Sequence, residues 1–234
     1  KARKPPLDDP QIISKHKDLF NGRYNSEKAE QIKQMIGPEG RGKLQTIREN
    51  LYASWIKKTA TKDPKAWVAA YDSCIQAVDK ELIEPIEKEL KASGLYDTTM
   101  VIITADHGEG FGEHGIYGHG YAFFDEFNRV PLIIKMPYAK EGKRITHLAQ
   151  SIDILPTALE AVGIETPHQA QGKSLLGLMR EANASPPNEY IFEETLSGKT
   201  IRSQEWKLWI NSNGEKMLFH LSLDPKELRN VYSQ

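Results

Sequence analysis

A short run of β-branched residues, Met100-Val-Ile-Ile-Thr104, leads within two positions into the loop Asp106-His-Gly-Glu-Gly-Phe-Gly-Glu-His-Gly-Ile-Tyr-Gly-His-Gly120. Three of the chain's seven histidines and six of its seventeen glycines fall in that loop. An apolar run of this length, followed at once by polar chemistry, predicts a fully buried strand of a parallel sheet. Open α/β sheets place their ligands in the crevice beyond the carboxyl ends of such strands. Asp106 and His107 offer a hard oxygen and an imidazole nitrogen to a divalent cation. The glycines permit turns and close backbone approach that side chains would block. His119 follows a loop long enough to return it to the same pocket, where an imidazole contacts an oxyanion or protonates a departing alkoxide.

Strands and helices alternate around this loop, which predicts an α/β fold. Residues 26–36 and 44–56 read as helices, the latter from Leu44, Ile47, Leu51, Tyr52, Trp55 and Ile56 at helical spacing. Asp63-Pro64 opens a further helix, with Asp63 as its cap, Pro64 in its first turn and Trp67, Tyr71, Cys74, Val78 and Leu82 on one face. Pro85 should kink or split that helix, and Gly94 should end it. Pro131–Met136 is a second strand of the buried, parallel kind, and residues 152–162 form a helix stopped by Gly163. Beyond Pro186-Pro187 come short strand candidates at 190–194, 200–202, 206–210 and 216–220, separated by Ser-Gly, Ser-Gln and Asn-Gly turn signals. They predict a small antiparallel sheet. The expected division is a main α/β domain over residues 1–185 and a β subdomain over 186–234.

Composition sets limits rather than a function. The 234 residues carry 31 basic and 32 acidic side chains, for a formal net charge of -1. That balance gives no reason to expect nucleic acid or an anionic membrane as partner. The single cysteine, Cys74, excludes an intrachain disulfide and a cysteine-rich metal site. No apolar run approaches the ~18–20 residues of a membrane span. The first residues, Lys1-Ala-Arg-Lys-Pro-Pro, do not read as a signal peptide, and the compartment stays open between periplasmic, secreted and cytoplasmic.

The motifs together resemble the sulfatases of the alkaline phosphatase superfamily. Tyr71-Asp-Ser-Cys-Ile-Gln-Ala-Val-Asp79 resembles the helix leading into the family's active-site strand, and Thr104-Ala-Asp-His-Gly-Glu109 resembles its metal motif. Gly112-Glu-His-Gly115, Gly118-His-Gly120 and Arg129-Val-Pro-Leu-Ile-Ile134 follow in family order. Ser151-Ile-Asp-Ile-Leu-Pro-Thr-Ala-Leu159, Gln171-Gly-Lys-Ser-Leu-Leu176, Trp206-Lys-Leu208 and Leu223-Asp-Pro-Lys-Glu-Leu-Arg-Asn230 are similar to later family segments. The resemblance implies part of an α/β/α sandwich with a small C-terminal antiparallel sheet. It implies hydrolysis of sulfate esters, on a small molecule or a glycan, through a covalent intermediate.

Carried over by residue, Asp106 and His107 are metal ligands for one divalent cation. Ca²⁺ leads, with Mg²⁺, Mn²⁺ and Zn²⁺ open. His119 is the group that contacts the ester and assists the leaving alcohol. Glu109, Glu113 and His114 read mainly as loop-shaping or rim residues, His114 also as a second substrate contact, and Asp153 as a helix cap. The family nucleophile is a formylglycine made from Cys/Ser-x-Pro-x-Arg, and two further metal carboxylates lie near the family N-terminus. Neither is found here, since Cys74 is followed by Ile-Gln-Ala-Val. The expectation is that an N-terminal part of the same enzyme completes the site and that these residues alone are inactive. Phosphate or phosphonate ester hydrolysis, phosphoethanolamine-type transfer and a non-catalytic degenerate member remain as alternatives.

Overall fold

Asp63 and Pro64 start the first helix among the described residues, as their chemistry requires. In the computed structural model, which describes residues 63–120, 122–181, 184–196 and 198–233, α1 spans Pro64–Val78. The Asp63 carboxylate accepts the Lys65 amide at 3.0 Å, and Pro64 occupies a position whose N–H has no helical partner to lose. The helices expected over 26–36 and 44–56 lie outside the described residues. Ala70 is buried, with Trp67, Tyr71, Cys74 and Ala77 half-buried beside it. Val78 was expected on this stripe but is exposed, because the helical period changes there. Asp79–Ile83 is a π-helical turn in which the Glu84 amide reaches back five residues to the Asp79 carbonyl. Pro85 explains it: the ring lacks an N–H and crowds the carbonyl four residues earlier, and a widened turn relieves the clash. Helix α2 (Glu84–Ala92) then resumes with Pro85 in its first turn. It ends at Gly94, whose φ of 68° allows Leu95 to bond back to the Leu90 carbonyl at 2.9 Å and Gly94 to that of Lys91 at 3.1 Å.

The chain divides into two compact units, Lys1–Thr99 and Met100–Gln234. In the second unit, β1 (Val101–Thr104), β2 (Gly110–Phe111), β3 (Tyr117–Gly118), a one-turn α3 (Asp125–Asn128) and β4 (Leu132–Lys135) follow in order. After them come α4 (Ile154–Ala161), α5 (Leu176–Arg180), β5 (Ile191–Thr195), β6 (Gly198–Arg202), β7 (Trp206–Asn211) and β8 (Lys216–His220).

The strands at β1 and β4 form where the apolar runs predict them, but their pairing differs from expectation. They run antiparallel, with Ile102 opposite Ile134 and Thr104 opposite Leu132. They are half-buried rather than fully buried, and Ile133 is 58% exposed. A continuous apolar run identifies a strand without fixing its direction; here the chain returns without a crossover helix spanning the connection, so the two strands meet head to tail.

The four C-terminal strands match their turn signals closely. They form an antiparallel meander in the order β5-β6-β7-β8, with Gly214 of the Asn-Gly turn at φ 86°. On one face Thr200, Lys207, Trp209 and Phe219 are buried. The ring of Phe123, itself 2% exposed, meets Trp209 edge-on at 5.5 Å, and Phe124 meets Trp209 at 5.3 Å and Phe219 at 6.0 Å. The sheet is therefore packed against the segment that follows the glycine-rich loop, within the same compact unit. The boundary drawn from sequence at 185/186 falls inside that unit, just before β5.

Candidate active site

The loop after β1 closes on itself as a miniature hairpin. Gly110 pairs with Gly118 and Phe111 with Tyr117, and Gly112 (φ 104°), His114 (φ 53°) and Gly115 (φ 73°) make the reversal between them. The Gly112 amide bonds to the Ile116 carbonyl at 2.9 Å, and the Phe111 amide to the Glu113 carboxylate at 2.6 Å. One step beyond the last paired residues, this register sets Glu109 opposite His119. Their side chains meet: His119 Nδ1 lies 3.1 Å from one oxygen of Glu109 and 3.4 Å from the other. The Glu109 side chain is 15% exposed and that of His119 is 51% exposed.

His107 joins them. Its ring stacks on that of His119 with centroids 3.9 Å apart, and donor atoms of His107, Glu109 and His119 all lie within 4.8 Å of one another. The structure thus gathers two of the histidines singled out by sequence with Glu109, which the sequence assigned to loop-shaping. The signal for Glu109 is nonetheless in the sequence: Glu109-Gly-Phe111 and Tyr117-Gly-His119 are mirror images about a glycine-rich turn, the pattern of two facing strands.

Asp106 stands at the end of β1 beside His107, and its side chain is 88% exposed. His107 Nδ1 is engaged by the Gly108 carbonyl at 2.8 Å, so the ring presents Nε2, which lies 3.7 Å from Asp106 Oδ2. Two ligand atoms held about 2.1–2.5 Å from one cation sit roughly 3–4 Å apart, so this pair fits a shared divalent ion. It is a partial set, since hard cations of this kind take six or more ligands.

Two glycines hold the loop in place. The Gly108 amide bonds to the Phe127 carbonyl at 2.6 Å, and a Cβ on Gly108 would stand 2.0 Å from the Glu126 carbonyl oxygen. A Cβ on Gly110 would press on the Phe127 ring at 2.7 Å. The backbone at the site is therefore laid directly on α3.

His114 is placed differently from the other two histidines. Its ring lies flat on Phe124 at 3.6 Å, its Nδ1 pairs with Glu126 at 2.7 Å and its Nε2 with the Glu227 carbonyl at 3.2 Å. Both ring nitrogens are engaged within the protein, and its side chain is 13% exposed. Instead of a free substrate contact, the structure presents a pin between the loop and the chain's last residues. His107, Glu109 and His119 form a group without it.

α3 is in turn fixed by buried charge. Lys207, 1% exposed, lies on the inner face of β7 with its amine 3.0 Å from Asp125 and 2.8 Å from Glu227. Arg202 also pairs with Asp125, and Glu227 accepts the Asp125 amide at 2.7 Å. Burial pushes the Asp125 carboxyl up, but the Arg202 hydrogen bond and the charges of Lys207 and Arg202 outweigh it and hold it below the usual carboxylate range. Burial wins at Glu227 and at Glu193, which are both pushed up despite Lys207.

Comparison with known proteins decides the family. A sulfatase family model matches residues 23–164, and a model for the C-terminal part of N-sulphoglucosamine sulphohydrolase matches residues 112–234. The chain belongs to the sulfatase family. It is 29% identical over 178 residues to a Delta 4,5-hexuronate-2-O-sulfatase of Bacteroides thetaiotaomicron, covering 70% of this chain and 37% of that protein. It is 30% identical over 195 residues to an N-acetylglucosamine-6-O-sulfatase of the same organism, covering 77% of this chain and 33% of that protein. The chain thus spans about a third of the length of these relatives. Among solved structures it is similar to a 2-O GAG sulfatase, at 26% identity and a TM-score of 0.65 over 73% of this chain and 39% of the other. It is equally similar to the phosphonate monoester hydrolase of Agrobacterium radiobacter, at 26% identity and a TM-score of 0.65 over 74% and 38%. These sulfatases share the alkaline phosphatase-like fold, as the motifs led us to expect. Among the described residues no helix is long and apolar enough to cross a membrane.

Proposed function

We propose that this chain supplies the metal-binding and leaving-group side of a sulfatase active site, acting on sulfate esters of sugars. The observation that carries the reading is the gathering of His107, Glu109 and His119 beside Asp106 at the end of β1, within the stretch that matches the sulfatase model. The names of the two curated relatives, which act on a hexuronate and on N-acetylglucosamine, support a sugar as the alcohol.

Asp106 and His107 Nε2 hold the divalent cation, and the family resemblance favours Ca²⁺. A bound cation of this kind polarises the sulfate oxygens and increases the acidity of a coordinated nucleophile. His119 presents Nε2 toward the ester and gives its proton to the alkoxide oxygen as the oxygen–sulfur bond breaks. The nucleophile of the covalent step comes from outside these residues, since neither their one cysteine nor any of their serines opens a Cys/Ser-x-Pro-x-Arg motif. The 234 residues alone are therefore inert as an esterase.

The likeness to a phosphonate monoester hydrolase supports a second reading, the same machinery used on a phosphorus ester. Parallel turnover of p-nitrophenyl sulfate and phenyl p-nitrophenyl phosphonate by the full-length protein separates the two. Sulfate turnover above phosphonate turnover is the expected result, and the reverse order replaces the first reading with the second. Asp106→Asn should weaken Ca²⁺ or Mn²⁺ binding by about 100-fold in a calorimetric titration, at least as much as loss of an outer-sphere ligand partner. Unchanged affinity in that variant removes Asp106 from the metal site.

A further inference from the structure

We infer that Glu109 is a positioning residue for His119, fixing the tautomer and direction of the leaving-group imidazole. The inference rests on the functional reading above and adds a residue to it. Three observations carry it. The β2–β3 register sets Glu109 opposite His119, so their meeting follows from the backbone and not from a chance rotamer. The Glu109 carboxylate is largely shielded while the histidine is half exposed, so the anchored partner is the acid and the presented partner is the base. Both carboxylate oxygens lie on the Nδ1 side of the ring, at 3.1 and 3.4 Å, and among the described residues Nε2 has no hydrogen-bond partner.

A carboxylate accepts only, so the ring nitrogen facing it must be the donor. Glu109 thereby keeps a proton on Nδ1 and leaves Nε2 as the atom that faces outward. The stacked His107 ring restricts rotation out of that plane. When the ester oxygen–sulfur bond breaks, its electron pair stays on the alcohol oxygen and the Nε2 proton moves to that oxygen. The ring is left neutral with its remaining proton on Nδ1, still donated to Glu109. The donating ring carries a proton on each nitrogen; without the carboxylate it is free to turn, and its Nε2 proton is misdirected for part of the time. Carboxylate partners that orient metal-bound histidines are typically worth about 10–100-fold, and an effect of the same order is expected here.

The test combines kinetics with a direct view of the ring. In the full-length protein, Glu109→Ala should lower kcat about 10–100-fold on sulfate esters of poor leaving groups such as sugars, with KM nearly unchanged. The loss should be much smaller on p-nitrophenyl sulfate, whose leaving group departs without a proton. Glu109→Gln, whose amide oxygen still accepts from Nδ1, should recover a large part of the loss. Nitrogen-15 spectra of the 234-residue chain should show neutral His119 in the Nδ1–H tautomer, lost in Glu109→Ala and restored in Glu109→Gln.

His119→Ala serves as the reference. If it impairs poor leaving groups while Glu109→Ala matches wild type, the positioning role is overturned and the leaving-group role of His119 stands. If His119→Ala is itself without effect, both are overturned. An equal loss on every leaving group in Glu109→Ala, with an unchanged tautomer, marks Glu109 as a loop-shaping residue and also overturns the inference.

Discussion

Replacing Lys207 with methionine should destabilise the protein by about 3–5 kcal/mol, the range for removing one partner of a buried ion pair. The side chain is 1% exposed and stands between two carboxylates, and methionine fills its volume without supplying charge. Asp125 keeps Arg202, but Glu227, also 1% exposed, is left as an uncompensated buried anion. Glu227→Gln in the same background should restore part of the loss, because the amide oxygen still accepts the Asp125 amide while the charge is gone.

The pH dependence of the deficit follows from the direction of each shift. Asp125 titrates below its unfolded value, so its stabilisation is present above that value and is lost as pH falls through the folded one. Glu227 and Glu193 titrate above theirs, so their contribution is complete at low pH and is lost as pH rises through the folded values. Lys207 is what limits the rise at Glu227. Without it Glu227 is pushed further up, and the Lys207→Met deficit should be larger at about pH 8 than at about pH 5, because lower pH favours the protonated carboxyl. Urea unfolding at the two values measures it. A variant within about 1 kcal/mol of wild type at both would show that the cluster is solvated in solution. The effect should also reach the site, because Asp125 opens the helix on which Gly108 and Gly110 are laid.

How much of this was legible in the sequence differs from one element to the next. The strands β5–β8 were readable because Asn-Gly marks the β7–β8 turn, where Gly214 takes a positive φ, and Ser-Gly and Ser-Gln mark the other two, and Pro85 announced the break between α1 and α2. The position of β1 was readable from its β-branched run, and the loop beyond it from its run of glycine and histidine; the roles of Asp106, His107 and His119 are proposals. The direction of β1 against β4 was not readable, because side-chain composition reports burial and not strand polarity. Glu109 was visible only as one half of a mirrored pair, since an isolated glutamate in a glycine-rich loop has no distinguishing pattern. Lys207 lies deeper still. Alternation along Trp206-Lys-Leu-Trp209 would send the lysine outward, yet Lys207 and Trp209 face inward and Trp206 is 39% exposed. What reverses the rule is a pair of acids, Asp125 and Glu227, far away in sequence, and no local window contains them. His114 was legible as part of the motif but not in its placement, for the same reason: its partners are Glu126 and the backbone of residue 227.

The second large effect is expected at Asp153, which the sequence marks only as a cap and which the structure buries completely. Its Oδ2 accepts the Gln150 amide at 2.9 Å and the Asn188 side-chain amide at 2.7 Å, and its Oδ1 accepts the Lys173 amide at 2.8 Å. The side chain makes no cap bond to α4 itself; its bond to Gln150 is one half of the capping box of the turn that leads into the helix. Its own carbonyl accepts the Thr157 hydroxyl at 2.6 Å, and that hydroxyl accepts the Leu175 amide at 2.9 Å. One carboxylate therefore ties the start of α4 to the Gly172–Leu175 segment and to the lead-in to β5. Gly172 belongs to the same contact, since a Cβ there would stand 2.0 Å from the Ile152 carbonyl oxygen.

Alanine at Asp153 leaves three donors unpaired, and each costs about 1–3 kcal/mol when water cannot reach it, so a loss of about 4 kcal/mol or more is expected. Asparagine, nearly isosteric, should not rescue it. Whichever way the amide is turned, its NH₂ group faces at least one N–H that needs an acceptor, so the loss should remain above about 2 kcal/mol. Thermal and urea unfolding of the two variants against wild type measure this. Asparagine behaving like wild type would mean that one of the two oxygens is bonded to water instead of to the chain. The ordering of Ala below Asn below Asp distinguishes a buried acceptor from a plain helix cap, where asparagine is as good as aspartate.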